Sequence, residues 1–360
     1  MTAFTTQKTT GRSAEERAAI LADPGFGANF SDHMTLIDWT AGRGWHDHRV
    51  VPYAPFLLDP ASAVLHYAQE AFEGLKAYAR ADASVWRFRA EVNAARFRRS
   101  CRRLGLPELS DEDFLASLDE LVRVDRDWVP TGAEQSLYLR PFLFARSPSL
   151  AVKPSAAVTY AVIASPSGAY FGGSGVQPVD IWFTRDYTRA APGGTGFAKC
   201  GGNYAASMVA QAEAEANGCS QVGFVDAVER RYVEELGGMN LFAVTADGRL
   251  ITPALTETIL EGVTRGAVLR LAAEAGLRVE ETRIARDNLF ADIDTGRVTE
   301  VFACGTAAII TPVASFKDSD GTHVVGDPQP GPRTLELRRA LTEIQYGLRP
   351  DSYGWTTRIL

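Results

Sequence analysis

One lysine sits where chemistry is most readily done. Residues 193–204 read Gly193-Gly194-Thr195-Gly196-Phe197-Ala198-Lys199-Cys200-Gly201-Gly202-Asn203-Tyr204. Glycines allow close approach of backbone or ligand. An ammonium is costly to carry into such a place, and desolvation favours the neutral, nucleophilic amine. An amine of that kind condenses with carbonyl compounds, pyridoxal phosphate among them. Tyr204, five residues on, brings a phenol within reach of the same ligand. Against this stands a plainer alternative, a solvated lysine in a flexible, phosphate-binding turn, and the lysine alone does not decide between them.

The elements that position it follow from periodicity. Ala205, Met208, Val209, Ala212 and Ala216 fall at helical spacing, and Asn217-Gly218 is a stop signal. Upstream, residues 65–73 suit a short helix, Gly74 breaks it, and Leu75 to Arg80 alternates as a strand. Ala94, Phe97, Cys101 and Leu104 make the apolar face of a basic helix that also carries Arg96, Arg99 and Arg103. A second helix is opened by Ser110, with an acid three residues on as in a capping box. In Ser136-Leu137-Tyr138-Leu139-Arg140, alternation puts Tyr138 and Arg140 on one face of a strand, and an arginine buried there needs an anion. Asp247-Gly248 signals a hairpin turn. Residues 258–265 open a helix, counted from Gly266, whose N-terminal N–H groups suit phosphate. His46-Asp47-His48 has two histidines flanking one residue but no third ligand cluster, and a solvated turn is favoured over a metal site.

Six segments between about residues 30 and 313, taken in order, resemble the branched-chain amino acid aminotransferases, which are fold type IV pyridoxal-phosphate enzymes. They are residues 65–78, 136–142, 193–210, 232–242, 258–265 and 300–308, and Phe30-Ser31-Asp32-His33-Met34 is similar to the same family as well. The resemblance implies that Lys199 holds pyridoxal 5′-phosphate and moves the proton between substrate and cofactor. It implies that Tyr204 meets the phenolic oxygen, and that Arg96, Val263, Thr264 and Thr306 hold the phosphate, with Gly305 close by. A glutamate pairs with the ring nitrogen. Glu234 and Glu235 compete for that role, and the five-residue spacing to Asn240 favours Glu235, leaving Glu234 as an exposed acid. Phe30, Tyr67, Phe72, Tyr138, Arg140, Tyr170, Gly238, Ala307 and Ala308 then line the substrate pocket. Tyr67 reaches across a dimer interface, and Arg140 meets the carboxylate of glutamate. Some members carry a Cys-x-x-Cys pair after the sixth segment; Ala308 and Thr311 stand at those positions here, so no thiol switch is expected.

The implied architecture is mixed α/β in two domains. Residues 1–166 form a smaller N-terminal domain with a frayed arm at about 1–17, residues 167–180 an interdomain loop, and residues 181–360 a larger cofactor-binding domain. The implied reaction passes an amino group between leucine, isoleucine or valine and 2-oxoglutarate, in a homodimer or larger assembly. The runner-up is another fold type IV enzyme, a D-amino acid aminotransferase or an aminodeoxychorismate lyase. A non-catalytic phosphate-binding protein explains only the glycine-rich loop. A net charge of −7 argues against nucleic acid as partner. No apolar run approaches a membrane span, the N-terminus has no signal-peptide core, and four unpaired cysteines suit reduced thiols in a cytoplasm.

Overall fold

The computed structural model describes residues 3–168, 176–327 and 329–360. Chain contacts divide the protein into two compact units. The first is built from the N-terminal part of the chain together with Ala198–Gly201 and Ile344–Leu360. The second holds Gly202–Glu343 and the stretch leading up to Phe197.

In the first unit a nine-stranded, largely antiparallel sheet carries the core on one face. Its longest pairing runs between strands Ser136–Ala145 and Ala157–Ser167, in register from Ser136↔Ser167 to Ala145↔Val158. Helices Ala90–Arg103 and Asp111–Val124 cover it. Phe97, Phe114 and Tyr160 interlock there, almost wholly buried, with ring centroids 5.4–6.1 Å apart. Burying each such ring stabilises the fold by about 1.5–3 kcal/mol. The buried phenol of Tyr160 finds Ser117 Oγ at 2.9 Å, which keeps that burial inexpensive. Ser110 caps the second helix by accepting the Asp113 N–H at 3.0 Å, as the sequence predicts.

Three expectations change here. The Thr/Ser-rich composition of residues 1–17 predicts a frayed arm. Instead Thr5–Thr6 pairs in parallel with Arg49–Val50, and Ser13 with Glu16 forms a reciprocal capping box on helix Ala14–Ala22. A linear division at residue 180 gives the whole C-terminus to the second domain. Yet strand Thr356–Arg358 pairs with Trp86–Phe88, and Tyr346 donates to the Gln135 carbonyl at 3.0 Å. Backbone pairing therefore ties the tail to the first unit. His46, Asp47 and His48 lie on strand Gly44–Pro52 rather than in a turn. Among the described residues no group of histidine, cysteine and acids is arranged to hold a metal.

The second unit holds a ten-stranded mixed sheet. Strand Val179–Phe183 lies parallel to both Gln221–Val225 and Ile309–Asp318. Strand Asn240–Thr245, buried throughout, pairs with Val298–Gly305. Gly248, at φ +80°, turns that strand into Arg249–Pro253. Glu300 caps the last long helix, Pro332–Gln345, by accepting the N–H of Arg333 (3.0 Å) and Thr334 (2.7 Å). The helix after the lysine is two pieces, Gly201–Ala205 and Met208–Ala216. Its buried face is Ala210 and Ala214, whereas Met208 and Val209 are exposed, the opposite of the periodicity-based face. Small alanines let the helix lie close on the sheet, and that outweighs the larger side chains. It does stop at Asn217, with Gly218 at φ +68°. No helix among the described residues is long and apolar enough to cross a membrane.

Candidate active site

In the first unit, Lys199 is half-buried and locked through its backbone. Its carbonyl accepts the Phe72 N–H at 3.0 Å, and its own N–H donates to Ser100 Oγ at 2.9 Å. Its ammonium lies 4.7 Å from the Phe72 ring centroid, within cation–π range. Two residues on, the Gly201 N–H donates to the Glu70 carboxylate. Burial pushes the Glu70 carboxyl up, against the pull of that N–H and of Arg140.

Arg140 lies over Phe72 (4.9 Å) and Tyr138 (5.4 Å), and donates to the Tyr138 hydroxyl at 3.1 Å. Its Nε is buried and has no hydrogen-bond partner among the described residues, and its charge acts on the Glu70 carboxyl. Phe72, Tyr138, Arg140 and Lys199 thus share one neighbourhood. Phe30 stacks instead on Tyr53, 5.1 Å away, while Phe26 takes the edge-on contact with Tyr138 at 5.1 Å. Tyr67 lies apart, partly exposed, its hydroxyl donating to the Leu150 carbonyl at 2.5 Å. Tyr170 lies outside the described residues.

Arg96 is buried on helix Ala90–Arg103 and makes a bidentate pair with fully buried Glu73: Nε to Oε1 at 2.7 Å, Nη2 to Oε2 at 2.8 Å. Glu73 also accepts from Asn93 Nδ2 at 2.7 Å and from the Gly74 N–H at 3.1 Å. Burial alone would raise its carboxyl. The Arg96 charge and hydrogen bonds, with Lys199 and Asn93, outweigh that and hold it below the ordinary range. Sequence reasoning passed over Glu73. The signal was there in the buried-arginine rule: an inward-facing guanidinium requires a carboxylate nearby.

In the second unit, strand Tyr232–Leu236 carries Glu234 and Glu235 on opposite faces, and both are buried. The expectation of an exposed Glu234 is corrected: it accepts the Thr258 hydroxyl, its Oε2 has no partner among the described residues, and burial raises its carboxyl against that hydroxyl and Arg189. Glu235 pairs with Arg189 at 2.9 Å and accepts the Leu260 N–H at 2.8 Å. Arg189 also was not singled out from sequence; its isolation from any motif hid it. Tyr204 lies beside Gly238, where a Cβ would stand 3.9 Å from its ring. The helix at the fifth segment runs Val263–Glu274, starting three residues before the expected Gly266. Its N-cap is Gly262, which has no side chain to close the helix start. Val263 and Thr264 are therefore in its first turn, both buried. Gly305 to Ala308 form the tip between strands Val298–Gly305 and Ile309–Asp318, and Ile309 is held at φ +62°. A β-branched residue there is strained, so the tip is held in one shape by its surroundings. Cys304 is fully buried, its thiol pushed up to about 12 by burial, as expected of a packed residue.

Taken by itself, the first unit offers an amine at Lys199 and a guanidinium at Arg96, and the second a helix start at Val263 and two buried carboxylates, the kinds of group that bind an aldehyde, a phosphate and a ring nitrogen. Residues 70–316 match the family described as Amino-transferase class IV.

The chain belongs to the class IV aminotransferases.

Relatives sharpen the assignment. The branched-chain-amino-acid aminotransferase of Mycobacterium tuberculosis is 54% identical over 96% of this chain and 94% of its own. The probable branched-chain-amino-acid aminotransferase of Streptomyces coelicolor is 56% identical over 95% and 94%. The crystal structure of the Escherichia coli branched-chain amino acid aminotransferase superposes with a TM-score of 0.76 at 30% identity, covering 92% of this chain and 100% of that one. That of Thermobaculum terrenum, solved in its PLP-form, gives 0.73 at 25% identity, covering 92% and 99%. This class IV aminotransferase is thus a fold type IV, pyridoxal-phosphate-dependent transaminase of the branched-chain amino acid group.

Proposed function

We propose that the enzyme moves the amino group reversibly between L-leucine, L-isoleucine or L-valine and 2-oxoglutarate. The observation that carries this is the Phe72, Arg140 and Lys199 grouping: an apolar ring beside the amine, next to a guanidinium whose Nε lacks a partner among the described residues. An apolar wall suits a branched aliphatic side chain, and a waiting guanidinium suits the second carboxylate of glutamate.

Bound pyridoxal phosphate supplies the electron sink that acidifies the substrate α-carbon. Lys199 holds the cofactor and carries the proton to and from that carbon as general base and acid. Phe72 shields its amine. Arg96 orients the phosphate through its fork, Val263 and Thr264 offer N–H groups of a helix start, and Thr306 adds a hydroxyl beside Gly305. Tyr204 donates to the phenolic oxygen. Glu235 keeps a negative charge for the ring nitrogen. Tyr138 bounds the aliphatic side chain, Tyr67 reaches it from the second copy of a dimer, and Gly238, Ala307 and Ala308 leave room for the carboxylate.

A homodimer is supported by the apolar side chains that the first unit leaves in water: Leu57 fully, Val152, Leu150 and Leu65 more than half. Large apolar side chains left in water favour a second copy, and light scattering of the purified protein measures it. A cytoplasmic location fits four free, buried cysteines.

The test is a coupled assay of ketoacid release. L-leucine, L-isoleucine and L-valine with 2-oxoglutarate are expected to turn over, and D-alanine is not. Turnover of D-alanine with none of L-leucine would transfer the protein to the D-amino acid branch of the fold.

A further inference from the structure

We propose that Glu73 is the positioning residue that orients Arg96 toward the cofactor phosphate and balances the two cations, Arg96 and Lys199, on its side of the first unit. This rests on the reading that Arg96 meets the phosphate and Lys199 carries the cofactor.

Three observations carry it. First, Glu73 is wholly enclosed and both of its oxygens are satisfied, by Arg96, Asn93 and the Gly74 N–H. A two-point bond through Nε and Nη2 fixes the guanidinium plane. Second, one helix face addresses both partners. Asn93, Arg96 and Ser100 stand three and four residues apart, hence in line. Asn93 and Arg96 bind Glu73, while Ser100 Oγ accepts the Lys199 N–H at 2.9 Å and donates to the Arg96 carbonyl at 3.1 Å. Glu73 adjoins Phe72, whose N–H binds the Lys199 carbonyl. The carboxylate, the fork and the cofactor lysine are thus one rigid assembly. Third, a buried ion pair of this kind is rarely more stable than an apolar replacement of equal volume. Stability does not account for the pair, whereas fixing a phosphate-binding fork does.

The experiment compares dissociation constants for pyridoxal 5′-phosphate and for pyridoxal, which lacks the phosphate, from the visible band. It uses wild type, Glu73→Gln, Arg96→Met and the double variant. Glu73→Gln is expected to weaken the phosphorylated cofactor by about tenfold and pyridoxal by less than about twofold. In the Arg96→Met background it should add nothing, because no fork remains to orient. Equal weakening of both compounds, or no weakening, overturns the proposal, since a purely structural glutamate cannot distinguish them. If Glu73→Gln fails to fold, judged by circular dichroism, Asn93→Ala serves instead. It keeps the charges and removes one tether, and a selective loss of about threefold is expected; an unselective or absent loss overturns the proposal. An Arg96→Met protein with unchanged preference for the phosphorylated cofactor overturns the underlying reading as well. An unchanged Glu73→Gln protein beside an impaired Arg96→Met one overturns the proposal alone.

Discussion

Arg189 and Glu235 form a buried ion pair, Nη1 to Oε1 at 2.9 Å, with both side chains 3% exposed. The same guanidinium donates to the carbonyls of Thr258 (2.9 Å) and Gly196 (3.4 Å). It therefore ties the carboxylate to the loop leading into Lys199 and to the loop before helix Val263–Glu274. Glu235→Gln removes the charge that keeps a ring nitrogen protonated, and kcat with leucine should fall by about 100-fold or more. Arg189→Lys keeps a cation but not the planar fork, and should give a smaller fall of the same kind. Steady-state kinetics of both variants check this; rates within twofold of wild type would remove Glu235 from the chemistry.

Arg140 offers a sharper test of substrate choice. Its buried Nε has no hydrogen-bond partner among the described residues, and a glutamate carboxylate would supply one. Arg140→Met should raise KM for glutamate by about tenfold or more while leaving leucine within about threefold. Equal effects on the two substrates would mean that Arg140 is structural.

Gly74 connects strand Leu75–Ala79 to the same residues by absence of a side chain. A Cβ there would come within 2.0 Å of Tyr138 Oη. Gly74→Ala should push the phenol aside and break its bond to Arg140. KM is expected to rise by about three- to tenfold for every substrate, with the fold retained. Gly321→Ala, where a Cβ meets nothing within 4 Å, serves as the neutral control in the same assay.

Glu73 also predicts an acid response. Its carboxyl is held below the ordinary value of 4.5 despite full burial, so the unfolded chain binds a proton more readily than the folded one. The stabilisation is complete above the unfolded value and is lost as pH falls through the folded value. Melting temperatures between about pH 5 and pH 3 should drop more steeply for wild type than for Glu73→Gln. Parallel curves would contradict it.

Local chemistry made much of the fold legible. Ser110 as a cap, Gly248 in a hairpin turn and Ala94, Phe97 and Cys101 on a buried helix face all follow from residue type and spacing. So does the union of Tyr138 and Arg140 on one strand. Tertiary context decided the rest. Ala210 and Ala214, not Met208 and Val209, face the sheet because close packing there admits only small side chains. Thr356–Arg358 finds a strand far away in sequence, which no periodicity announces. Glu73, Glu234 and Arg189 show the same limit at the site: pairing partners 23, 24 and 46 positions apart are set by the fold, and burial turned apparently ordinary charges into fixed ones.

Chemical trapping identifies the lysine that carries the cofactor. The holoenzyme is reduced with borohydride, digested and mapped by mass spectrometry. The peptide containing Lys199 should carry the reduced phosphopyridoxyl group, and Lys199→Ala should abolish both the label and the turnover of leucine. A label on another lysine, or turnover that survives Lys199→Ala, would contradict the account.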